Sequence, residues 1–276
     1  MRRFGDRKDA KKVRDMSGLN QILIDLKPKR SLGEVYVNTD IDVTNVVKYL
    51  DEYKSSHEDK LTVFHIFVAA VAKTMYHRDK LNRFVANRHL YQHNDLVISF
   101  VAKIEFEDNS EEVMVLIPIN EDDNLFSISK KVKDKVDSIR ANTASSEGAN
   151  SAIQVLGKLP NILRVPIMGM FKYLDRVGRI PTSLTKDNLY YSSMIMSNVG
   201  SIKSDAIYHN LTDFGTCSGL ITIGEIKEDN GKFTCEFGAT IDERVADGYY
   251  LIKSVHMIEE LLNNPKLLEE NINEKI

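Results

Sequence analysis

The sequence predicts a single mixed α/β domain, a largely central sheet with helices packed on it, and three observations carry that expectation. Five runs show the two-residue alternation, or the short apolar stretch bounded by turn signals, that belongs to strands. Between them lie stretches whose apolar residues recur at helical spacing. No internal repeat and no linker divides the 276 residues, a length able to bury a sizeable core.

Residues 1–30 read as a basic arm, and 31–276 as the folded domain. In the arm Arg2, Arg3, Arg7, Lys8, Lys11, Lys12 and Arg14 face only Asp6, Asp9 and Asp15. Such a run reads as a solvated terminus, with a phosphate or acidic partner as the alternative. A short apolar patch, Leu19 to Leu26, follows, and Pro28 interrupts it.

Glu34 to Val43 reads as a strand. Thr44 then opens a helix with Val46, Val47 and Leu50 on one face. Leu61 to Tyr76 is apolar nearly all round, which predicts a buried helix with Thr62 as its N-cap. Leu96 to Phe106 and Val113 to Ile119 read as strands joined by an acidic turn, Glu107 to Glu112. Ile128, Val132, Val136 and Ile139 form the stripe of the next helix. Asn142 to Asn150 has the composition of a flexible loop.

Leu163, Ile167, Met170, Phe171 and Leu174 form a further stripe, expected to pack on the sheet or on a neighbouring subunit. Met194-Ile195-Met196 enters Ser197-Asn198-Val199-Gly200. Gly219 to Gly224 and Lys232 to Ile241 read as strands, with Asp229-Asn230-Gly231 as a hairpin turn between them. Pro265 ends the last long helix.

Composition narrows the function classes. Hydrophobic residues make up 42% and charged residues 28%, with a net charge of −3, so a general nucleic-acid binder is not indicated. Cys217 and Cys235 lack metal-ligand or redox spacing, which fits a reduced, cytoplasmic protein. No segment has the length and apolarity of a membrane span or a signal peptide. His89 and His93 are four apart, but the chain between them reads as extended and no third ligand is near. No metal site is expected.

The chemistry is concentrated at a strand-to-helix corner, Asp242-Glu243-Arg244-Val245-Ala246-Asp247-Gly248. On these residues alone it is a solvated turn, with Asp247 as helix cap, Gly248 relaxing the backbone and Arg244 on the surface or paired with an acid. The segment resembles the His-x-x-x-Asp-Gly signature of the dihydrolipoamide acyltransferases of 2-oxo acid dehydrogenase complexes and of the chloramphenicol acetyltransferases. In the former it commonly reads Asp-His-Arg-Val-x-Asp-Gly. Every position matches except one, since Glu243 stands where the family has its general-base histidine. Ser197-Asn198-Val199-Gly200 is similar to the family's Ser-Asn-x-Gly stretch. The resemblance runs from the first strand to Pro265.

It implies a chloramphenicol-acetyltransferase-like two-layer α/β sandwich, assembled as a homotrimer with active sites between subunits. It further implies coenzyme A or acyl-CoA as substrate, with an acceptor the sequence does not name. Ser197 would hydrogen-bond the oxyanion, supported by Asn198. Asp247, with Arg244 and Gly248, would fix the local structure, and Glu243 would stand in the base position. A thiol titrates near ~8.5, histidine near ~6.5 and glutamate near ~4.3, so the exchange widens the proton-transfer mismatch by about 3 kcal/mol. Three readings of Glu243 stay open: a base for a different acceptor, a relic in a ligand-binding site, or a structural charge paired with Lys or Arg. His209 is the one histidine in a position to substitute for the missing base. Relatives with full-length chains carry a lipoyl domain that this sequence does not contain. The function expected is a CoA-dependent acyltransferase with an altered or lost base. The alternative is a non-catalytic member that binds acyl-CoA or serves as a scaffold.

Overall fold

A computed structural model describes residues 3–103, 112–141 and 155–276. The elements that position the site are the strands β1 (Ala10–Lys12), β2 (Glu34–Asp42), β3 (Arg83–Ala86), β4 (His89–His93) and β5 (Leu96–Lys103). They continue with β6 (Glu112–Ile119), β7 (Met194–Asn198), β8 (Gly219–Asp229) and β9 (Lys232–Asp242). The helices are α1 (Gly18–Leu26), α2 (Thr44–Ser56) and α3 (Val63–His77). After them come α4 (Leu125–Ala141), α5 (Asn161–Arg176) and α6 (Gly248–Asn263).

The main sheet has six strands in the order β2-β9-β8-β7-β5-β6. Strands β5, β7 and β8 run parallel, whereas β2/β9, β8/β9 and β5/β6 pair antiparallel. The two-residue period of a strand sorts its side chains onto two faces. Met194, Met196, Ile221 and Ile223 face the large core shared with α2, α3, α4 and α6. Ile195 and Leu220, one residue out of phase, join Leu189, Leu211 and Cys217 on the other face. That division is the two-layer arrangement expected from the sequence.

Helix α3 matches the all-round apolar pattern, with Ile66 to Ala72 all at or below 1% exposure. Thr62 caps it through a reciprocal pair with His65. The hairpin turn between β8 and β9 places Asn230 and Gly231 at φ of 52° and 78°, the left-handed pair that an Asn-Gly turn supplies. The turn 107–112 falls largely, and the loop 142–150 wholly, outside the described residues.

One expectation is corrected. The basic arm is not a solvated tail, because β1 pairs antiparallel with β4. Arg7, 7% exposed, bonds Asp9 and donates to the backbone oxygen of Asp175 at 2.8 Å. A neighbouring carboxylate and the ring faces of Phe84 and Tyr91 make it a buried anchor. On helix α5, Leu163 and Met170 of the expected stripe are both 53% exposed, so of the two coverings expected the sheet of the same chain does not bury it and a neighbouring subunit stays open.

Candidate functional site

The end of β9 delivers the motif, and its register fixes what surrounds it. Glu34 lies opposite Asp242, and the Glu243 amide donates to Gly33 O at 2.8 Å. Asp242 is fully buried and held bidentately by Arg244, Nε to Oδ1 at 2.7 Å and Nη2 to Oδ2 at 2.6 Å. Arg244 also donates through Nη1 to Lys27 O at 2.8 Å. Of the alternatives for Arg244, the buried partner of an acid is the one realised. Arg30, 3% exposed, adds a second guanidinium 3.9 Å from Asp242. Burial pushes Arg30 down from its ordinary value, against the attraction of Asp242.

Glu243 is turned the other way. Its carboxylate is 28% exposed and forms an ion pair with Lys27, the residue that ends α1. Asp247 forms no ion pair with Arg244; it is exposed and accepts from Tyr250 N at 2.8 Å as the N-cap of α6. Gly248 is the first residue of that helix.

His209 lies on the loop that closes over this corner. Tyr208 and Asn210 donate to Glu34 Oε2, and Leu211 N donates to Glu34 Oε1 at 2.7 Å. His209 Nε2 is buried without a hydrogen-bond partner among the described residues. So are Arg30 Nε, Thr216 Oγ1 and Ser218 Oγ, on segments tied to the same corner by Arg30 Nη2 to Gly215 O and Asp242 N to Ser218 O. Unspent buried polar atoms are rare in folded proteins and call for an explanation.

Ser197 is elsewhere. It lies beside Thr222 on β8, which lies beside Gly238 on β9. Glu243 follows Gly238 by five positions, so at ~3.3 Å per residue and ~4.8 Å per strand the two side chains are on the order of 19 Å apart. One chain does not bring Ser197 and Glu243 together. Asn198 and Gly200, next to Ser197, border a cavity of about 300 Å³ with Phe64 and Ile223 on its wall.

Sequence reading missed Lys27, Arg30 and Glu34. Lys27 meets Glu243 across 216 residues, and no local pattern reports a pairing of that range. His93 is the better-buried of the paired histidines, and burial pushes it down to about 4 as it contacts Thr216 O. Among the described residues no cluster of His, Cys, Asp or Glu is arranged to hold a metal. No described helix is long and apolar enough to cross a membrane.

The family model of the 2-oxoacid dehydrogenases acyltransferase (catalytic domain) matches residues 15–167, more than half of the chain and all of it before Ser197. No curated protein sequence gives a match. Among solved structures, the dihydrolipoamide acetyltransferase of Azotobacter vinelandii is 12% identical over 93% of each chain with a TM-score of 0.61. The truncated catalytic core of the 2-oxoacid dehydrogenase multienzyme complex from Thermoplasma acidophilum is 18% identical, covers 92% of this chain and 99% of its own, and scores 0.58. A chloramphenicol acetyltransferase is 10% identical with the same coverage and a TM-score of 0.60. These identities speak for the fold, a chloramphenicol-acetyltransferase-like sandwich, and not for the reaction.

Proposed function

Because the chain belongs to the family of 2-oxoacid dehydrogenase acyltransferase catalytic domains, we propose that it binds a coenzyme A thioester while its ability to activate a thiol acceptor is lost. One observation carries this reading: the side chain in the base position is a carboxylate already paired with Lys27. A base must reach the proton it takes, and a carboxylate held by an ammonium offers a weaker pull than a free imidazole. A carboxylate also repels the thiolate it would create, whereas an imidazolium attracts it.

Ser197 fits the role of oxyanion donor, with the cavity beside Asn198 and Gly200 as the place where an acyl group enters. For Ser197 to face Glu243, the two must come from different copies, which supports a homotrimer with composite sites. Asp247 acts in this reading through its helix, by fixing the turn that presents Glu243.

Calorimetric titration with CoA and acetyl-CoA tests it. Saturable binding by the wild type, altered by Glu243→Ala, is expected, with no acetyl transfer to dihydrolipoamide. Lys27→Ala combined with Glu243→His is expected to bring transfer back. Absence of binding at about 1 mM ligand, some 4 kcal/mol of affinity, would sink the proposal.

A second reading rests on His209, whose Nε2 has no partner among the described residues. There His209 takes the acceptor's proton, and Glu243 only shapes the corner. Transfer by the wild type that survives Glu243→Gln and disappears in His209→Gln would select it.

A further inference from the structure

Helix α5 is apolar and basic, and of its 16 residues only Asp175 is buried. We propose that it lies flat on an anionic bilayer surface, with its apolar side among the acyl chains and its cations at the headgroup phosphates. Nothing in this depends on the acyltransferase reading.

At about 3.6 residues per turn, Ile162, Tyr173, Pro166, Met170 and Leu163 succeed one another round one side of the helix. Ile162 is 82% exposed and Tyr173 64%. Arg164 stands beyond one edge of this side, and Arg176 and Lys172 stand beyond the other. Of the large exposed apolar side chains on α5, only Val165 falls among the cations. Such a helix gains little from its own sequence, since proline and glycine, here Pro166 and Gly169, are the poorest residues for a helix interior. Most helical stability comes from packing an amphipathic face. One chain does not supply that packing, so a surface from outside has to, and uncovered apolar area of this kind marks a site of interaction.

Charge selects the occupant. Residues 155–180 hold Lys158, Arg164, Lys172, Arg176 and Arg179 against a single acid, Asp175, in a chain whose net charge is −3. Asp175 is turned inward, where Tyr191 Oη donates to its Oδ1 at 2.7 Å and Gly215 N to its Oδ2 at 2.9 Å. None of the five cations forms an ion pair with a described residue, and all but Arg164 are exposed. Their aliphatic stems can lie along the apolar side while the charged heads reach phosphate. An apolar face edged by cations is the pattern of a helix that lies in the plane of a membrane interface, and each cation near an anionic leaflet strengthens binding. At ~1.5 Å per residue the helix is on the order of 24 Å long, which suits lying flat and not spanning. A second copy of the chain is the competing occupant. A protein groove takes a narrow stripe of anchors at i, i+3, i+4 and i+7, whereas a bilayer takes the whole apolar side together with the cations on both of its edges.

Flotation of the full chain with vesicles tests this, using phosphatidylglycerol mixed equally with phosphatidylcholine, and phosphatidylcholine alone beside it. Binding to the first and not to the second is expected, fading as salt rises from about 0.1 to about 0.5 M. Lys172→Glu with Arg176→Glu should weaken it about twentyfold or more, at roughly fivefold per cation. Ile162→Ser with Met170→Ser should weaken it at least about tenfold. All four side chains are exposed, so the melting curve should stay in place. The chain has no tryptophan, so Met170→Trp reports from the apolar side alone, and its emission should move to the blue on anionic vesicles. The proposal is overturned if the wild type ignores anionic vesicles, if it binds neutral ones equally, or if both double variants bind undiminished. Binding without the blue shift overturns it too. A wild type that ignores vesicles, but whose sedimentation changes with Ile162→Ser and Met170→Ser, would make α5 a contact between subunits instead.

Discussion

Two adjacent carboxylates at the end of β9 have opposite fates, and the difference is set by what reaches them. Asp242 is fully enclosed and receives two donors from Arg244 in the fork geometry suited to a carboxylate. Removing one partner of a buried pair strands the other, so Arg244→Met should cost about 3–5 kcal/mol, read as a lowered urea midpoint. A change below about 1 kcal/mol would mean that Arg30 takes over the charge. The Lys27–Glu243 pair is part-exposed and should contribute under about 1 kcal/mol to stability. Its consequence is for chemistry and not for folding.

Two histidines make stability depend on pH. Burial pushes both His65 and His93 down to about 4, while an unfolded histidine titrates near ~6.5. Between those values the unfolded chain binds more protons, so stability is fully present above about pH 6.5 and falls as the pH drops toward about 4. His65, at 6% exposure, contributes at most on the order of 3 kcal/mol over that window. The urea midpoint should therefore fall between about pH 7 and pH 5, with His65→Gln flattening part of the slope. A midpoint independent of pH would refute it.

Helix α6 shows how much of an element is visible before the fold is known. Asp247 at its start, the helical spacing of Tyr250, Ser254, Met257, Ile258 and Leu261, and Pro265 past its end are local signals; the helix forms between them and buries Ser254, Ile258 and Leu261, while Leu251, Val255 and Leu262 complete the buried face without standing out in that run. Asp247→Ala should cost about 1 kcal/mol by thermal unfolding, with Asp247→Ser restoring most of it. A larger loss recovered only by the carboxylate would point to a contact beyond the cap. β1 was illegible because its three residues are too few for alternation to register, and because its reason for pairing is β4, far along the chain. The site was half legible. The motif residues stood in the sequence, but Lys27, Arg30 and Glu34 reach them through long-range register that no window of residues contains. Gly200 records another such constraint, since a Cβ there would meet Gly224 O at 2.2 Å. Gly200→Ala should therefore push the Ser197 turn off β8 and destabilise the fold by about 1–3 kcal/mol in urea unfolding.

For the whole molecule, the separation of Ser197 from Glu243 and the apolar surface left uncovered make one argument. Leu19 and Leu26 on α1 are 78% and 73% exposed, and Leu26 precedes the Lys27 that pairs with Glu243. A second copy bringing its Ser197 turn to that corner would lie across these leucines, and apolar surface of this kind usually marks an interface. Sedimentation should report three times the 31.4 kDa of one chain. Leu26→Glu should shift it toward monomer with little change in far-ultraviolet circular dichroism. A wild-type monomer would contradict the composite site.

The anchoring of Arg7 carries a practical consequence. The portion recognisable as the family begins at residue 15, and a truncated form cut to that boundary would look complete. It would lack β1 and the cation resting against Phe84 and Tyr91, and the backbone oxygen of Asp175 would lose its donor from Arg7. The stretch by which the chain is recognised is therefore shorter than the stretch whose contacts hold its small sheet in place.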